Sequence, residues 1–223
     1  DWPALLALMS ELEFHSLVRT LGVRAGAPAP PPAARPPGPP RGVADTPALV
    51  AETVRRVRAA GVCGLAACAS GPDPMRAELV GLAIATADGT AWYFPFGHHS
   101  PGDVFERTEV RNLPPLGDPA LAPLAELLAD ATIAKVGHDL KSAWLLLRRA
   151  GVALGGVGFD TMIASFMIDP GKRSHALDAL ALEHFGSRLR TLEEVTGKGK
   201  TAKPFAEVPV QEAAEFSAAV ADC

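Results

Sequence analysis

Apolar and polar positions follow two different periods along the chain, so that strand-like and helix-like stretches can be told apart. Three short apolar runs predict consecutive antiparallel β-strands at residues 62–69, 79–86 and 90–96. The last two are separated by Asp88-Gly89, a pair that suits a tight reversal. Before them, residues 47–60 show helical spacing, with Asp45 or Thr46 available as the N-cap. This region therefore predicts a helix followed by a strand meander.

From residue 119 onwards the pattern changes to strand–helix alternation. A helix at 119–129 precedes a strand at 132–136 and a helix at 139–150. From Asp160 the remainder is helical in pattern, with predicted helices at 161–168, 175–185, 192–195 and 210–222. The fold class predicted is α/β: a mixed sheet flanked by helices, with a helix-rich C-terminal half.

A proline-rich segment separates this region from the start of the chain. Eight of the thirteen residues at 28–40 are proline, which favours extended polyproline II and prevents a packed element. We therefore predict a linker at 26–42 between residues 1–25 and a domain at 43–223. Residues 1–25 have helically spaced apolar positions and are interpreted as the tail of a preceding domain. The alternative is a peripheral helix on the main body.

Composition excludes several classes of protein. The chain has 223 residues, of which 48% are hydrophobic, and no apolar stretch reaches the ~20 residues of a membrane helix. Its net charge of −4 disfavours nucleic-acid binding by bulk electrostatics. Basic residues are concentrated at 131–203, where the loop containing Lys198, Lys200 and Lys203 is a candidate phosphate contact. A solvated surface loop is the alternative reading.

The three cysteines indicate a reducing compartment. Cys63 and Cys68 lie on one predicted strand about 16 Å apart, given a rise of about 3.3 Å per residue, so they cannot form a disulfide with each other. An odd number of cysteines with no paired framework is typical of reduced thiols. We expect a cytoplasmic protein that has no membrane contact and is monomeric.

Direct reading of the residues yields no complete catalytic motif. Gly199-Lys200-Thr201 resembles the end of a P-loop, but Glu194 stands where that motif requires glycine. The histidines lack zinc-site spacing, and Cys68 has no neighbouring base to activate it. The aspartates that two-metal hydrolysis would need stand beside helix ends, which predicts capping or surface roles for Asp139, Asp160, Asp169, Asp178 and Asp222.

Six strings in order give the chain a resemblance to a known family. They are ELVGLAIA (78–85), AWYFPFGH (91–98), AKVGHDLK (134–141), GFDTMIASFMIDP (158–170), SHALDALALEHFG (174–186) and EEVTGKGK (193–200). This region resembles the 3′–5′ exonuclease domain of bacterial DNA polymerase I, a family A polymerase. SELEFHSLVRTLG (10–22) resembles the tail of that family's 5′-nuclease region, and the proline run stands at its interdomain connector.

The resemblance implies a ribonuclease H-like fold in which four carboxylates hold two Mg²⁺ ions. The positions that match these ligands are Ala66, Cys68, Ala143 and Val220, and Phe216 stands where the family has a tyrosine. Every implied metal ligand and the tyrosine hydroxyl are therefore replaced. Small apolar side chains at these positions are expected to let the cleft close as ordinary core.

The function expected from this pattern is that of a non-catalytic exonuclease-like domain that binds no cofactor of its own. We expect a fragment of a longer chain in which a Mg²⁺-dependent polymerase domain follows and contacts DNA for replication and repair. Two alternatives stay open. One is an active proofreading exonuclease that recruits Asp139, Asp160 or Asp222 as metal ligands, and the other is an independent DNA- or protein-binding module.

Overall fold

The computed structural model describes residues 2–11, 41–100, 110–199 and 202–223, and the following elements belong to these ranges. The strands are β1 (Arg41–Val43), β2 (Val62–Ala69), β3 (Leu79–Ala85), β4 (Ala91–Pro95), β5 (Ala134–Gly137) and β6 (Val157–Asp160). The α-helices are α1 (Trp2–Glu11), α2 (Pro47–Ala60), α3 (Ala122–Ala129), α4 (Leu140–Arg149), α5 (Thr161–Ile168), α6 (Leu177–Phe185), α7 (Leu192–Thr196) and α8 (Val210–Asp222). Short 3₁₀ turns lie at Pro119–Leu121 and Phe205–Glu207.

All six described strands form one mixed sheet in the order β1-β4-β3-β2-β5-β6. The β2-β3-β4 meander is antiparallel, while β5 and β6 continue the sheet in parallel from β2 and β1 pairs in parallel with β4. The predicted α/β fold class, with helices flanking a mixed sheet, is confirmed.

Local chemistry explains α2 and the β3–β4 hairpin. Thr46, one of the two predicted caps, accepts a hydrogen bond from the Leu49 amide at 3.3 Å, and the helix ends at Gly61, whose φ of 69° is left-handed. In the β3–β4 hairpin, Gly89 has a φ of 82° and Asp88 accepts a hydrogen bond from the Thr86 hydroxyl. Both turns match the expectation from the sequence.

Helices cover the sheet on two faces, each with its own hydrophobic cluster. On one face, residues of α2, α3 and α4 pack against side chains such as Leu65 and Leu82. On the other face, α8 packs against Ala66, Ala83 and Tyr93 through small residues. Gly64 allows the close approach of α8, because a Cβ there would lie 1.9 Å from the carbonyl oxygen of Ala221.

Two strands were not predicted. β1 contains Arg41 and Gly42, which were predicted as the last two residues of the 26–42 linker. Its parallel pairing with β4 is followed by a hydrogen bond from the Ala44 amide to the Tyr93 carbonyl at 2.8 Å. β6 precedes the helical region that begins after Asp160 and pairs in parallel with β5. Both strands are short and depend on pairing with distant segments.

The predicted tail and most of the linker lie outside the described residues. Of residues 1–25, the described part is the helix α1, and residues 12–40 are not described. Lys200 and Thr201 also lie outside the described residues. Within the described ranges, no helix is long and apolar enough to cross a membrane.

Candidate functional site

A cleft of about 560 Å³ lies where β2 leaves the sheet beside α8. Four of the five residues that matched the implied exonuclease site line it, namely Ala66, Cys68, Phe216 and Val220. Ala66 and Cys68 are two positions apart on β2, so both face α8. Phe216 and Val220 are four apart on α8, which places them on one helix face. Strand and helix periodicity therefore bring these four residues together.

The fifth residue, Ala143, is placed differently. It lies in α4, is buried, and belongs to the hydrophobic cluster on the opposite face of the sheet, with Leu140 and Leu147. It is not among the described residues that line the cleft. The structure thus brings together four of the five predicted site residues.

The polar atoms of the cleft centre are paired with each other. The Sγ of Cys68 lies 3.0 Å from the Oγ of Ser217, and Ser217 is fully buried in α8. Burial raises the pKa of the Cys68 thiol to about 11, although the hydrogen bond to Ser217 acts in the opposite direction. Cys68 is therefore a neutral thiol at physiological pH, neither an anionic ligand nor an activated nucleophile.

The remaining wall of the cleft is mostly apolar. The ring of Phe216 packs against that of Phe205 with centroids 6.1 Å apart, and Leu192 contributes from α7. Lys203 is the one charged residue among the described residues that line the cleft, and its backbone amide donates to the Thr196 carbonyl at 2.8 Å. Ala66 belongs to the buried hydrophobic cluster under α8, and Cys68, Phe216 and Val220 pack against that cluster while they also line the cleft.

The basic loop places its described lysines in different surroundings. Lys203 lines the cleft, whereas Lys198 forms an ion pair with Glu193 at 2.8 Å. This pairing raises the pKa of the Lys198 ammonium group. Lys200 lies outside the described residues. The candidate phosphate contact therefore has one cleft-lining lysine and one lysine engaged by a carboxylate.

The aspartates that could serve as relocated ligands have structural partners. Asp160 Oδ1 accepts backbone hydrogen bonds from Asp139, Met162 and Ile163, and its Oδ2 accepts one from Leu140 at 2.7 Å. This one carboxylate caps the starts of both α4 and α5.

Asp139 and Asp222 have different partners from those of Asp160. Asp139 is the N-cap of α4, and its Oδ2 accepts the Ser142 hydroxyl at 2.6 Å. It adopts a left-handed φ of 55°. Asp222, at the end of α8, forms an ion pair with Arg41 of β1 at 3.1 Å. Asp139 thus has the capping role expected from the sequence, whereas the side chain of Asp222 is only 5% exposed and is not a surface group.

The residues present do not fit a two-metal centre. Such a centre needs several carboxylates around paired cations, and the matched positions supply one thiol and no carboxylate. Across the described ranges there is also no group of three or more His, Cys, Asp or Glu side chains arranged to hold a metal ion. The cleft therefore lacks the ligands that a pair of Mg²⁺ ions would need.

A buried chain of hydrogen bonds on the α8 side of the sheet was not predicted from the sequence. The Tyr93 hydroxyl lies 2.7 Å from Nε2 of His98, and Nδ1 of His98 lies 3.0 Å from the Val208 carbonyl oxygen. Because a carbonyl only accepts, Nδ1 carries the proton and donates it, and Nε2 accepts from tyrosine. Burial lowers the pKa of His98 and raises that of Tyr93. The one available signal was a tyrosine at an inward strand position.

Comparison with known proteins gives consistent matches. Residues 119–220 match the family model of the ribonuclease H-like domain of DNA polymerase I. A DNA polymerase I from Chloroflexus aurantiacus is 35% identical over 178 residues, which are 79% of this chain and 17% of the relative. The chain thus spans about one-sixth of that relative's length.

Solved structures agree with this match. The POL domain of Pol1 from M. smegmatis, in complex with a DNA primer-template and dNTP, superposes with a TM-score of 0.57 at 26% identity. The superposition covers 81% of this chain and 26% of that chain. Escherichia coli RNase D, an exoribonuclease, gives a TM-score of 0.54 at 17% identity, covering 80% of this chain and 40% of that one, and supports the fold alone.

Proposed function

We propose, from the premise that this chain carries the ribonuclease H-like domain of the DNA polymerase I family, that the domain is catalytically inactive and supports an in-chain polymerase. Its parent would be a DNA-directed DNA polymerase of replication and repair, monomeric and cytoplasmic. That parent would contact DNA and use Mg²⁺ through the polymerase part.

The observation that carries the proposal is the chemistry of the cleft. The four cleft positions that match the implied site hold Ala66, Cys68, Phe216 and Val220, so neither a carboxylate nor a phenol is available there. The one side chain among them with a donor atom is Cys68, whose thiol is hydrogen-bonded to Ser217. Phosphodiester hydrolysis with two cations requires both nucleophile activation and charge neutralisation, and these residues supply neither.

The partners of the aspartates favour an inactive domain over an active site that has moved to other carboxylates. Recruiting Asp160 as a metal ligand would remove the acceptor of four backbone amides, and recruiting Asp222 would break its ion pair with Arg41. Each loss leaves polar groups without partners, which costs free energy. The fold therefore uses these carboxylates to hold elements together.

A nuclease assay on the 223-residue chain tests the proposal. A 5′-labelled oligonucleotide incubated with Mg²⁺ or Mn²⁺ should stay at full length, and EDTA should not change the result. Calorimetric titration with MnCl₂ should detect no binding at the cleft. Metal-dependent shortening that is lost in Asp139→Asn or Asp222→Asn would overturn the proposal and establish a relocated active site. Asp139→Asn is chosen because asparagine can still cap a helix.

A further inference from the structure

The cleft between β2 and α8 has apolar walls that remain partly in contact with water. Phe216 and Val220 on α8 are half-buried, and Leu192 at the start of α7 is 54% exposed. All three line the cleft. Apolar side chains gain free energy when another apolar group covers them and removes them from water. The walls therefore favour an occupant with an apolar body.

The size of the cleft suits a small organic molecule. Its volume is about 560 Å³, within the roughly 300–1,000 Å³ of ligand pockets. At about 30 Å³ for a group the size of a water molecule, this space holds on the order of twenty non-hydrogen atoms. A single ion would leave most of it unfilled.

One cation stands at the cleft without an anion. Lys203 lines the cleft, is half-buried and forms no ion pair with any residue that the structure describes, whereas Lys198 is paired with Glu193 at 2.8 Å. No Asp or Glu is among the described residues that line the cleft. A charge beside apolar walls attracts an opposite charge more strongly than it would in open water. The cleft therefore favours an occupant with one negative group.

We infer that this cleft is a binding site for an amphipathic carboxylate such as a fatty acid. The alkyl chain would lie against Leu192, Phe216 and Val220, and the carboxylate would lie next to Lys203. The inference goes beyond the proposed function, because it requires neither a polymerase part nor DNA. Dodecanoate fits within the number of atoms that the cleft can hold.

The lining disfavours a nucleotide as the occupant. The sugar hydroxyl, base edge and phosphate of a nucleotide all need polar partners when they leave water. At the centre of the cleft, the hydroxyl of Ser217 and the thiol of Cys68 are already hydrogen-bonded to each other at 3.0 Å. The hydroxyl of Thr196 donates to the Leu192 carbonyl at 2.9 Å. An alkyl chain needs no such partners, so it matches these walls better.

Methyl NMR on the 223-residue chain tests the inference. Titration with sodium dodecanoate should give saturable shifts of the Leu192 and Val220 methyl signals and intermolecular NOEs from them to the alkyl chain. The dissociation constant should be about 1 mM or lower, the affinity expected of a ligand of this size. The methyl signals of Ile163 and Ile168, which are 54% and 84% exposed on α5, control for non-specific contact and should not shift.

Ligand and protein variants separate the two halves of the proposed recognition. Acetate, which lacks the apolar body, should cause no shift, and 1-dodecanol, which lacks the charge, should bind about tenfold more weakly than dodecanoate. Lys203→Gln should weaken dodecanoate binding by a similar factor and leave dodecanol binding unchanged. Lys198→Gln is the matched control and should change neither, because Lys198 is engaged by Glu193. Lys203→Glu should reverse the preference, so that dodecylamine binds more tightly than dodecanoate.

Several outcomes would overturn the inference. They are the absence of saturable shifts below about 1 mM dodecanoate, equal affinity for dodecanoate and dodecanol, and equal effects of Lys203→Gln and Lys198→Gln. Shifts at Ile163 and Ile168 in place of Leu192 and Val220 would also contradict it. Displacement of dodecanoate by deoxythymidine monophosphate at a lower concentration would assign the cleft to nucleotides instead. None of these readouts involves hydrolysis, so the nuclease assay tests the proposed function separately.

Discussion

The hydroxyl of Tyr93 and Nε2 of His98 lie 2.7 Å apart, and both groups are buried. This pair joins β4 to the loop that follows it, and the second ring nitrogen of His98 continues to the Val208 carbonyl just before α8. The chain of hydrogen bonds thus connects the strand meander with the helix that forms one wall of the cleft.

Removal of the Tyr93 hydroxyl should destabilise the protein without changing its fold. Tyr93→Phe leaves Nε2 of His98 buried with no donor, which should lower the free energy of unfolding by about 1–3 kcal/mol. Urea denaturation followed by tryptophan fluorescence measures the change. Ser187→Ala, at an exposed position, serves as the hydroxyl-deletion control and should lie within about 0.5 kcal/mol of the parent. An unchanged Tyr93→Phe midpoint would contradict the assigned hydrogen bond.

Stability should fall as the pH drops below the ordinary pKa of histidine. Burial lowers the pKa of His98 and that of His138 in the folded protein. At pH values between these lowered pKa values and the ordinary histidine pKa of about 6.5, the unfolded state therefore binds more protons than the folded state. Folding is therefore favoured above this range and weakened within it. Denaturation at pH 7.5 and 5.5 should show a loss that is smaller in His98→Gln than in the parent. His184→Gln, at an exposed site, should keep the full loss.

Any side chain at Gly64 should lower the stability of the protein. A Cβ at this position would lie 1.9 Å from the Ala221 carbonyl oxygen, so Gly64→Ala must push α8 away from β2. We expect a loss of about 1–3 kcal/mol in the free energy of unfolding, as for overpacked cores. Gly71→Ala is the matched control, because its Cβ would meet nothing within 4 Å. Equal thermal midpoints for the two variants would refute the close packing of α8 on β2.

Replacement of Asp160 should lower the free energy of unfolding more than replacement of an exposed aspartate. Asp160→Ala removes the acceptor at the starts of α4 and α5, and at about 1–2 kcal/mol for each cap the loss should be about 2–4 kcal/mol. Asp169→Ala is the control, since its carboxylate accepts one exposed amide, that of Gly171. Chemical denaturation of the two variants would decide the matter. A loss in Asp169→Ala as large as that in Asp160→Ala would show that double capping is unimportant.

The isolated chain should bind single-stranded DNA weakly. The candidate phosphate contacts are the three lysines at 198, 200 and 203. Since each contact contributes about −0.7 to the slope of log binding constant against log salt concentration, that slope should be no steeper than about −2. Fluorescence anisotropy at several salt concentrations measures it. Lys203→Ala should reduce binding more than Lys198→Ala, because Lys198 is paired with Glu193. Nanomolar affinity at physiological salt that disappears in the triple alanine variant would favour a DNA-binding module.

Much of the secondary structure could be predicted because its signals are local. The bounds of β2 at 62–69, α5 at 161–168 and α8 at 210–222 coincide with the predicted ranges. Strand alternation and helical spacing record which face of an element is buried, and this information lies within each segment. For the same reason, the periods of 2 and 3.6 residues correctly place Ala66 beside Cys68 and Phe216 beside Val220.

The sequence alone was enough to predict most of the helices and the three-strand meander, the family resemblance, and the absence of carboxylates at four matched positions. Tertiary structure alone decided the rest. Three features depend on contacts between residues far apart in the chain. They are the pairing of β1 with β4, the position of Ala143 in the hydrophobic cluster on the opposite face of the sheet, and the capping of both α4 and α5 by Asp160. The cleft beside Cys68 is a tertiary feature for the same reason, because its two walls come from β2 and α8, and Cys68 and Ser217, which meet there, are 149 positions apart in the chain. No local pattern records a contact between residues so far apart.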